Sequence, residues 1–168
     1  KTLGKLLAKH EQAERICRVL AASNGLSDFL LRHPELISLF TTGSRLPKPD
    51  ELADLDSSSQ DALKISYLTQ LLRIADFDLG QADFRAPIQQ VTAALSDLAG
   101  GALNAALEIA RRELVAEGRF AEADIAETKF AIIAMGKCGA RELNYVSDVD
   151  VIYVVGGDGD NALEIGTK

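Results

Sequence analysis

Two acidic residues one position apart, Asp148 and Asp150, stand at the head of an apolar run, Val151-Ile-Tyr153, and follow a loop with glycines at 136 and 139. If residues 148–153 are extended, the period of two points both acids to one face and sends Val149, Val151 and Tyr153 to the other. Side-by-side carboxylates suit magnesium, which prefers hard oxygen ligands and keeps positions open for water and a substrate phosphate. Asp148 and Asp150 are therefore the candidate metal ligands and catalytic acids. An isolated Asp-x-Asp equally describes solvated acids at the start of a strand, so the neighbouring loop matters. Gly136 and Gly139 are expected to let the backbone approach a phosphate and offer N–H groups to it, the alternative being a plain tight turn. Ser147 either bonds a phosphate oxygen or caps the turn. Lys137 and Arg141 either meet phosphate charge or are surface residues.

The long form of this block is an apolar strand over residues 130–135 followed by Gly136-Lys-Cys-Gly-Ala-Arg-Glu-Leu-Asn-Tyr-Val-Ser-Asp-Val-Asp-Val-Ile-Tyr153. It resembles the nucleotidyltransferase signature of the bifunctional glutamine synthetase adenylyltransferase/adenylyl-removing enzymes. Leu26-Ser-Asp-Phe-Leu-Leu-Arg-His-Pro-Glu35 and Ala94-Leu-Ser-Asp-Leu-Ala-Gly100 look like the same family, so the resemblance spans most of the chain. One departure is Gly139-Ala140, where the wider superfamily has Gly-Gly or Gly-Ser. Asn144, where the other half of these enzymes more often has glycine, and the Arg-His-Pro-Glu stretch make the chain more similar to the N-terminal, adenylyl-removing half.

The resemblance implies an α+β fold: a mainly helical region over residues 1–120, then the first strands of a nucleotidyltransferase domain of the polymerase-beta type over 121–168. It further implies Mg2+-dependent phosphorolysis of an AMP-tyrosine ester on glutamine synthetase, giving ADP, with ADP, ATP and AMP as the relevant nucleotides and the PII signal protein as a regulatory partner. Two rivals stay open, an ATP-dependent adenylylating half and a docking or regulatory module without chemistry of its own. The lack of an initiator methionine and the stop soon after the signature read as a fragment, with a third metal-binding carboxylate expected beyond it. Asp158 and Asp160 read as part of a surface turn over 156–161.

Composition bounds these readings. With 168 residues, 47% of them hydrophobic, the chain can build a sizeable core. A net charge of -7 argues against general binding to nucleic-acid backbones, which needs a basic surface. No apolar stretch approaches the roughly 20 residues of a membrane span, and the first residues lack a signal-peptide pattern, so a cytoplasmic protein is expected. Cys17 and Cys138 have no ligand-like spacing to His10 or His33, which makes a zinc site improbable and reduced thiols the simpler reading. Cys138, inside the loop, is expected to be open to alkylation with loss of function.

The elements that must position the acids are mostly helical. Apolar spacing predicts a helix over 6–22 with Leu6, Ala13, Ile16, Cys17 and Leu20 on one stripe, and a second helix capped by Ser27. The stretch 43–59, with Pro47, Pro49 and three serines, reads as a linker in which Leu52 and Leu55 are the possible anchors. A packed helix is expected over 60–76 and another from Pro87 to about 117. Gly100-Gly101 interrupts the latter, implying a bend or a close crossing, and Gly118 is expected to cap it. Residues 129–135 form a continuous apolar run that suits a buried strand.

Overall fold

A computed structural model describes residues 10–83, 85–157 and 161–168. The chain folds as an α+β protein, mostly helical, with a two-stranded antiparallel sheet near its C-terminal end. Its helices in order are α1 (His10–Ala22), α2 (Asn24–Arg32), a 3-10 helix (Pro34–Thr41), α3 (Pro49–Ala53), α4 (Gln60–Leu79), α5 (Ile88–Glu117) and α6 (Glu122–Glu127). Strand β1 (Lys129–Ala134), the single turn α7 (Gly136–Gly139), strand β2 (Val151–Gly156) and α8 (Ala162–Gly166) follow.

Serine side chains cap the starts of two of the described helices. Ser23 accepts the N–H of Leu26 at the start of α2, and Ser59 accepts that of Ala62 at the start of α4. The cap of the second helix is thus Ser23 rather than Ser27, whose hydroxyl lies one turn inside and donates to the Leu20 and Ser23 carbonyls. In α1 the buried face carries Arg15, Ile16 and Val19, while Cys17 and Leu20 are exposed. The expected stripe is therefore rotated, and the reason is polar: Arg15 turns inward to a buried Asp76 on α4. Leu6 lies outside the described residues.

The core has two centres that share α4. One gathers Leu52, Leu55, Ile74, Leu95, Leu98 and Leu143 with their neighbours; the other gathers Ile16, Val19, Leu26, Leu30, Phe40 and Leu72. The stretch read as a linker belongs to the first. Leu52 and Leu55 are buried, and the short helix α3 packs across α5. Most of the stretch stays exposed, and Leu52 and Leu55 anchor it as the sequence allowed.

The crossing of α3 over α5 explains one of the paired glycines. Helix α5 runs without interruption through both. At Gly101 a side chain would collide with the Leu52 carbonyl oxygen and come within 3.1 Å of Ala53 Cα, whereas at Gly100 nothing lies within 4 Å. Gly101 thus permits close approach of the two backbones. Gly118 ends the helix in the left-handed region, at φ 67°, as expected.

The sheet is shorter and more open than the apolar run implies. Its strands pair in register from Lys129 opposite Gly156 to Ala134 opposite Val151. Burial alternates along β1, with Phe130, Ile132 and Ala134 turned toward cover and Ile133 47% exposed beside Ile152 at 50%. The expectation of a fully buried strand is corrected: only one face of this hairpin is covered among the described residues. Strand β2 also begins at Val151, not Asp148, because the ladder closes with the N–H of Met135 donating to the Asp150 carbonyl at 2.8 Å.

Gly101→Ala is expected to destabilise the chain by about 1–3 kcal/mol through overpacking against α3, while Gly100→Ala stabilises it by about 0.5–1 kcal/mol through helix propensity. Urea denaturation followed by circular dichroism of the two variants reads the contrast.

Candidate functional site

The segment between the strands, residues 135–150, begins with one helical turn and continues without regular secondary structure. Gly136 adopts φ 52°, which reverses the chain after β1, and a side chain there would stand 3.4 Å from Asp150 Oδ2. The Asp150 carboxylate therefore lies directly against this glycine. Gly139 answers a different constraint. A side chain on it would strike the Ala134 carbonyl, and its own N–H donates to the Met135 carbonyl at 3.0 Å. In this conformation Gly139 lets the turn fold beneath the end of β1, and its N–H is committed to that turn.

Beyond the turn, the segment is fastened to the helices at successive points. Cys138 and Leu143 are buried in the core centre built on α5. The Leu143 N–H donates to Ser96 Oγ at 3.3 Å, and that hydroxyl donates to the Thr92 carbonyl. Arg141 takes φ 61°, a conformation that costs a non-glycine residue about 1–2 kcal/mol, and its guanidinium grips both carboxylate oxygens of Asp97. This bidentate pair ties Arg141 to α5. Tyr145 donates its hydroxyl to Asp78 on α4 at 3.0 Å, and with Val146 it covers a cavity of about 280 Å³ whose walls include Leu26, Leu71 and Ala75. Shelter from solvent, the Asp78 charge and this hydrogen bond together raise the Tyr145 phenol well above its ordinary value.

These fastenings present the acid pair. Along residues 147–150 exposure alternates: Ser147 and Val149 are half-buried, Asp148 and Asp150 exposed, and Val149 packs against the core. Both acids consequently face outward although the segment is not part of the strand. Neither carboxylate meets a cation or a hydrogen-bond donor among the described residues, and the Ser147 hydroxyl is likewise without a partner. The contrast with Asp76, Asp78 and Asp97, each held by an arginine or a tyrosine, is sharp. Two uncommitted carboxylates form an oxygen donor set of the kind a divalent cation takes, with room for further ligands. No group of three or more metal-ligating side chains occurs among the described residues, so they stand as a pair. Asp158 and Asp160 lie outside the described residues.

Of the residues predicted from sequence, the structure brings Gly136 against Asp150 and sets Asp148 on the same side, with Ser147 preceding them. Lys137 is exposed and free of partners among the described residues. Cys138 is not the open thiol expected: it is buried, and burial raises its pKa. His10 and His33 are spent on local contacts, with Glu14 and with Glu35 and the Phe29 ring. Reading by residue type missed Asp78, Ser96 and Asp97. For the last two the signal was present, as two polar residues inside the apolar stretch Ala94–Ala99.

The sequence matches the profile of the glutamate-ammonia ligase adenylyltransferase family over residues 13–165, nearly the whole chain. The chain belongs to this family. Among its relatives, the bifunctional glutamine synthetase adenylyltransferase/adenylyl-removing enzyme of Leifsonia xyli is 44% identical over 96% of this chain and 18% of its own length. The proteins of the same name from Cutibacterium acnes and Mycolicibacterium smegmatis are 36% and 38% identical, over 90% and 89% of this chain and 17% and 16% of theirs. This adenylyltransferase-family chain thus spans less than a fifth of the length of those relatives. No solved structure matches it. No helix among the described residues is long and apolar enough to cross a membrane.

Two outcomes test this geometry. As pH rises past the ordinary tyrosine value, near 10, the raised Tyr145 pKa means that folding holds a proton the unfolded chain gives up, so stability present below that pH is lost above it. Tyr145→Phe is expected to flatten the fall in urea midpoint between about pH 9.5 and 11.5. With iodoacetamide on the native chain, exposed Cys17 is expected to react first and Cys138 only as the chain unfolds, a difference that peptide mass mapping reads.

Proposed function

We propose that this chain carries the opening of a nucleotidyltransferase domain, of the adenylyl-removing half, which acts in the cytoplasm to control glutamine synthetase by deadenylylation. The observation that carries this reading is the pair of exposed, unpartnered carboxylates, Asp148 and Asp150, held beside the Gly136 turn in a chain of the adenylyltransferase family. The names of the relatives supply glutamine synthetase as the target. The choice of half rests on the Asn144 and Arg-His-Pro-Glu resemblance, and PII as a regulatory partner rests on the resemblance to the family as a whole.

In the proposed reaction an oxygen of inorganic phosphate attacks the phosphorus of the AMP-tyrosine ester, the bond to the tyrosine oxygen breaks, ADP forms, and the tyrosinate takes up a proton. Asp148 and Asp150 would hold Mg2+, with the third carboxylate that the resemblance implies completing the set. Bound there, the ion supplies charge neutralisation at the phosphoryl oxygens. The chain's own residues orient the reactants. Gly136 would leave space beside Asp150 for a phosphate to approach, and the Ser147 hydroxyl would donate to one of its oxygens on turning out from the half-buried side that it shares with Val149. Arg141, Leu143 and Tyr145 fix the segment to α5 and α4 so that the acids keep their positions without a lengthy rearrangement on binding.

The test is ADP release from adenylylated glutamine synthetase, with phosphate and magnesium, by the intact protein carrying residues 1–168. Asp148→Asn or Asp150→Asn is expected to lower the rate on the order of 10³-fold with the urea midpoint unchanged, and chelation of magnesium to do the same. AMP transfer from ATP to the unmodified synthetase, abolished by the same variants, would move the chain to the adenylylating half. Binding of the synthetase without either activity would sink the catalytic reading in favour of docking.

A further inference from the structure

The largest cavity described lies away from the acid pair, in the helical region. It measures about 460 Å³, within the range of small-ligand sites. Its lining brings together three arginines, Arg15 from α1, Arg45 from the loop after the 3-10 helix, and Arg73 from α4, with an apolar wall of Leu39, Phe40 and Leu72. Convergence of three guanidiniums on one cavity in a chain of net charge -7 runs against the general charge of the molecule.

Their partners show what is left over. Arg15 is buried and nearly saturated: it bonds both oxygens of Asp76, at 3.0 and 2.5 Å, and the carbonyls of Phe40 and Thr42. Glu51 serves both other arginines, taking Arg45 through two nitrogens at 2.6 and 2.8 Å and Arg73 through one at 2.9 Å. Hydrogen bonds from Arg45, from the Lys48 N–H and from Arg73 hold the Glu51 carboxyl well below the usual carboxylate range, so it remains charged. Among groups in direct contact, three guanidiniums face two carboxylates; Glu11 and Asp50 stand further out and act on Arg15 and Arg45 through space.

A guanidinium has five N–H donors. Arg73 directs one to Glu51 and one to Gln70, and Arg45 directs its bonds only from Nη1 and Nη2, so the Nε–H of each is unengaged among the described residues. Arg73 is only 19% exposed, in the cavity wall, whereas Arg45 is 54% exposed at its mouth. A planar fork with free donors, half-desolvated beside an apolar wall, matches an oxyanion better than water does.

We propose that this cavity binds a small organic anion, with a carboxylate or phosphate head on Arg73 and Arg45 and a short apolar body against Leu39, Phe40 and Leu72. The proposal does not rest on the function assigned to Asp148 and Asp150. Arg15 and Asp76 form the floor and take no direct part, while Ser44, exposed at the rim, limits entry.

The experiment is a titration of the 15N-labelled 168-residue chain, without divalent metal, with butyrate and separately with inorganic phosphate. Saturating shifts of the Gly43 and Ser44 amides and the Arg73 Nε–H are expected at a midpoint on the order of 1 mM or below. The probe that saturates assigns the head as carboxylate or phosphate. Arg73→Gln is expected to weaken binding about tenfold or more, and Ser44→Phe to weaken it by blocking the mouth. Glu51→Gln, which removes a competing charge, should tighten it, the reverse of what a purely structural cluster would give. Absence of saturation with both probes overturns the proposal. So do shifts that both Arg73→Gln and Ser44→Phe leave unaltered, since Ser44→Phe removes no folding contact.

Discussion

The burial of Leu143 and Cys138 against α5 is the constraint on which the rest of the candidate site depends. A sixteen-residue excursion between two short strands has little reason to hold one shape, since its backbone gains few ladder hydrogen bonds. Here two apolar side chains are drawn into the same core that packs α3, α4 and α5, and the polar contacts follow from that docking. Once Leu143 is seated, its N–H reaches Ser96, Arg141 falls on Asp97 and Tyr145 on Asp78. The acids that follow are then left outside with nothing among the described residues to neutralise them. Position comes from hydrophobic burial, and chemical availability from the lack of partners.

The helical region carries charge inside it under stricter terms. Arg15 and Asp76, 61 residues apart in sequence, are both buried and bond one another, and two carbonyls take two further arginine donors. Breaking one member of such a pair strands the other, which is costlier than the pair is favourable. This explains why α1 is rotated from the face that its apolar residues suggest: seating Ile16 and Val19 inward brings Arg15 with them, and Asp76 makes that tolerable. The same arrangement ties α1 to α4 at a fixed orientation and forms the floor of the arginine cavity.

Much of this was legible in the sequence, for identifiable reasons. Helices α4 and α5 follow from apolar spacing alone, and the left-handed cap at Gly118 from residue type. The acid pair and the glycine beside it also follow, because their chemistry is local. What was not legible depends on contacts distant in sequence. The stretch 43–59 has the composition of a linker and is mostly exposed; Leu52 and Leu55 were its possible anchors, and α5 decides that they are buried. Gly139 looked like a phosphate donor, but its N–H and its missing side chain both answer to the end of β1. Asp78 gave no chemical signal of its own, and Ser96 and Asp97 stood out only as polar residues in an apolar stretch; all three acquire meaning from the residues that reach them. The strand start was misplaced by three residues because alternation continues through 147–150 without a partner strand.

The hairpin itself has a consequence for handling the molecule. Its two strands pair only with each other among the described residues, so each has an outer edge of N–H and C=O groups without a ladder partner, and its open face shows Ile133, Ile152 and Val154. Neither strand places a proline on that edge to blunt it, and the single lysine, Lys129, sits at one end. An apolar, unguarded edge is a template for another copy. At high concentration this chain will therefore associate strand to strand before its helices loosen, and its solubility will be governed by twelve residues that contribute little to its core.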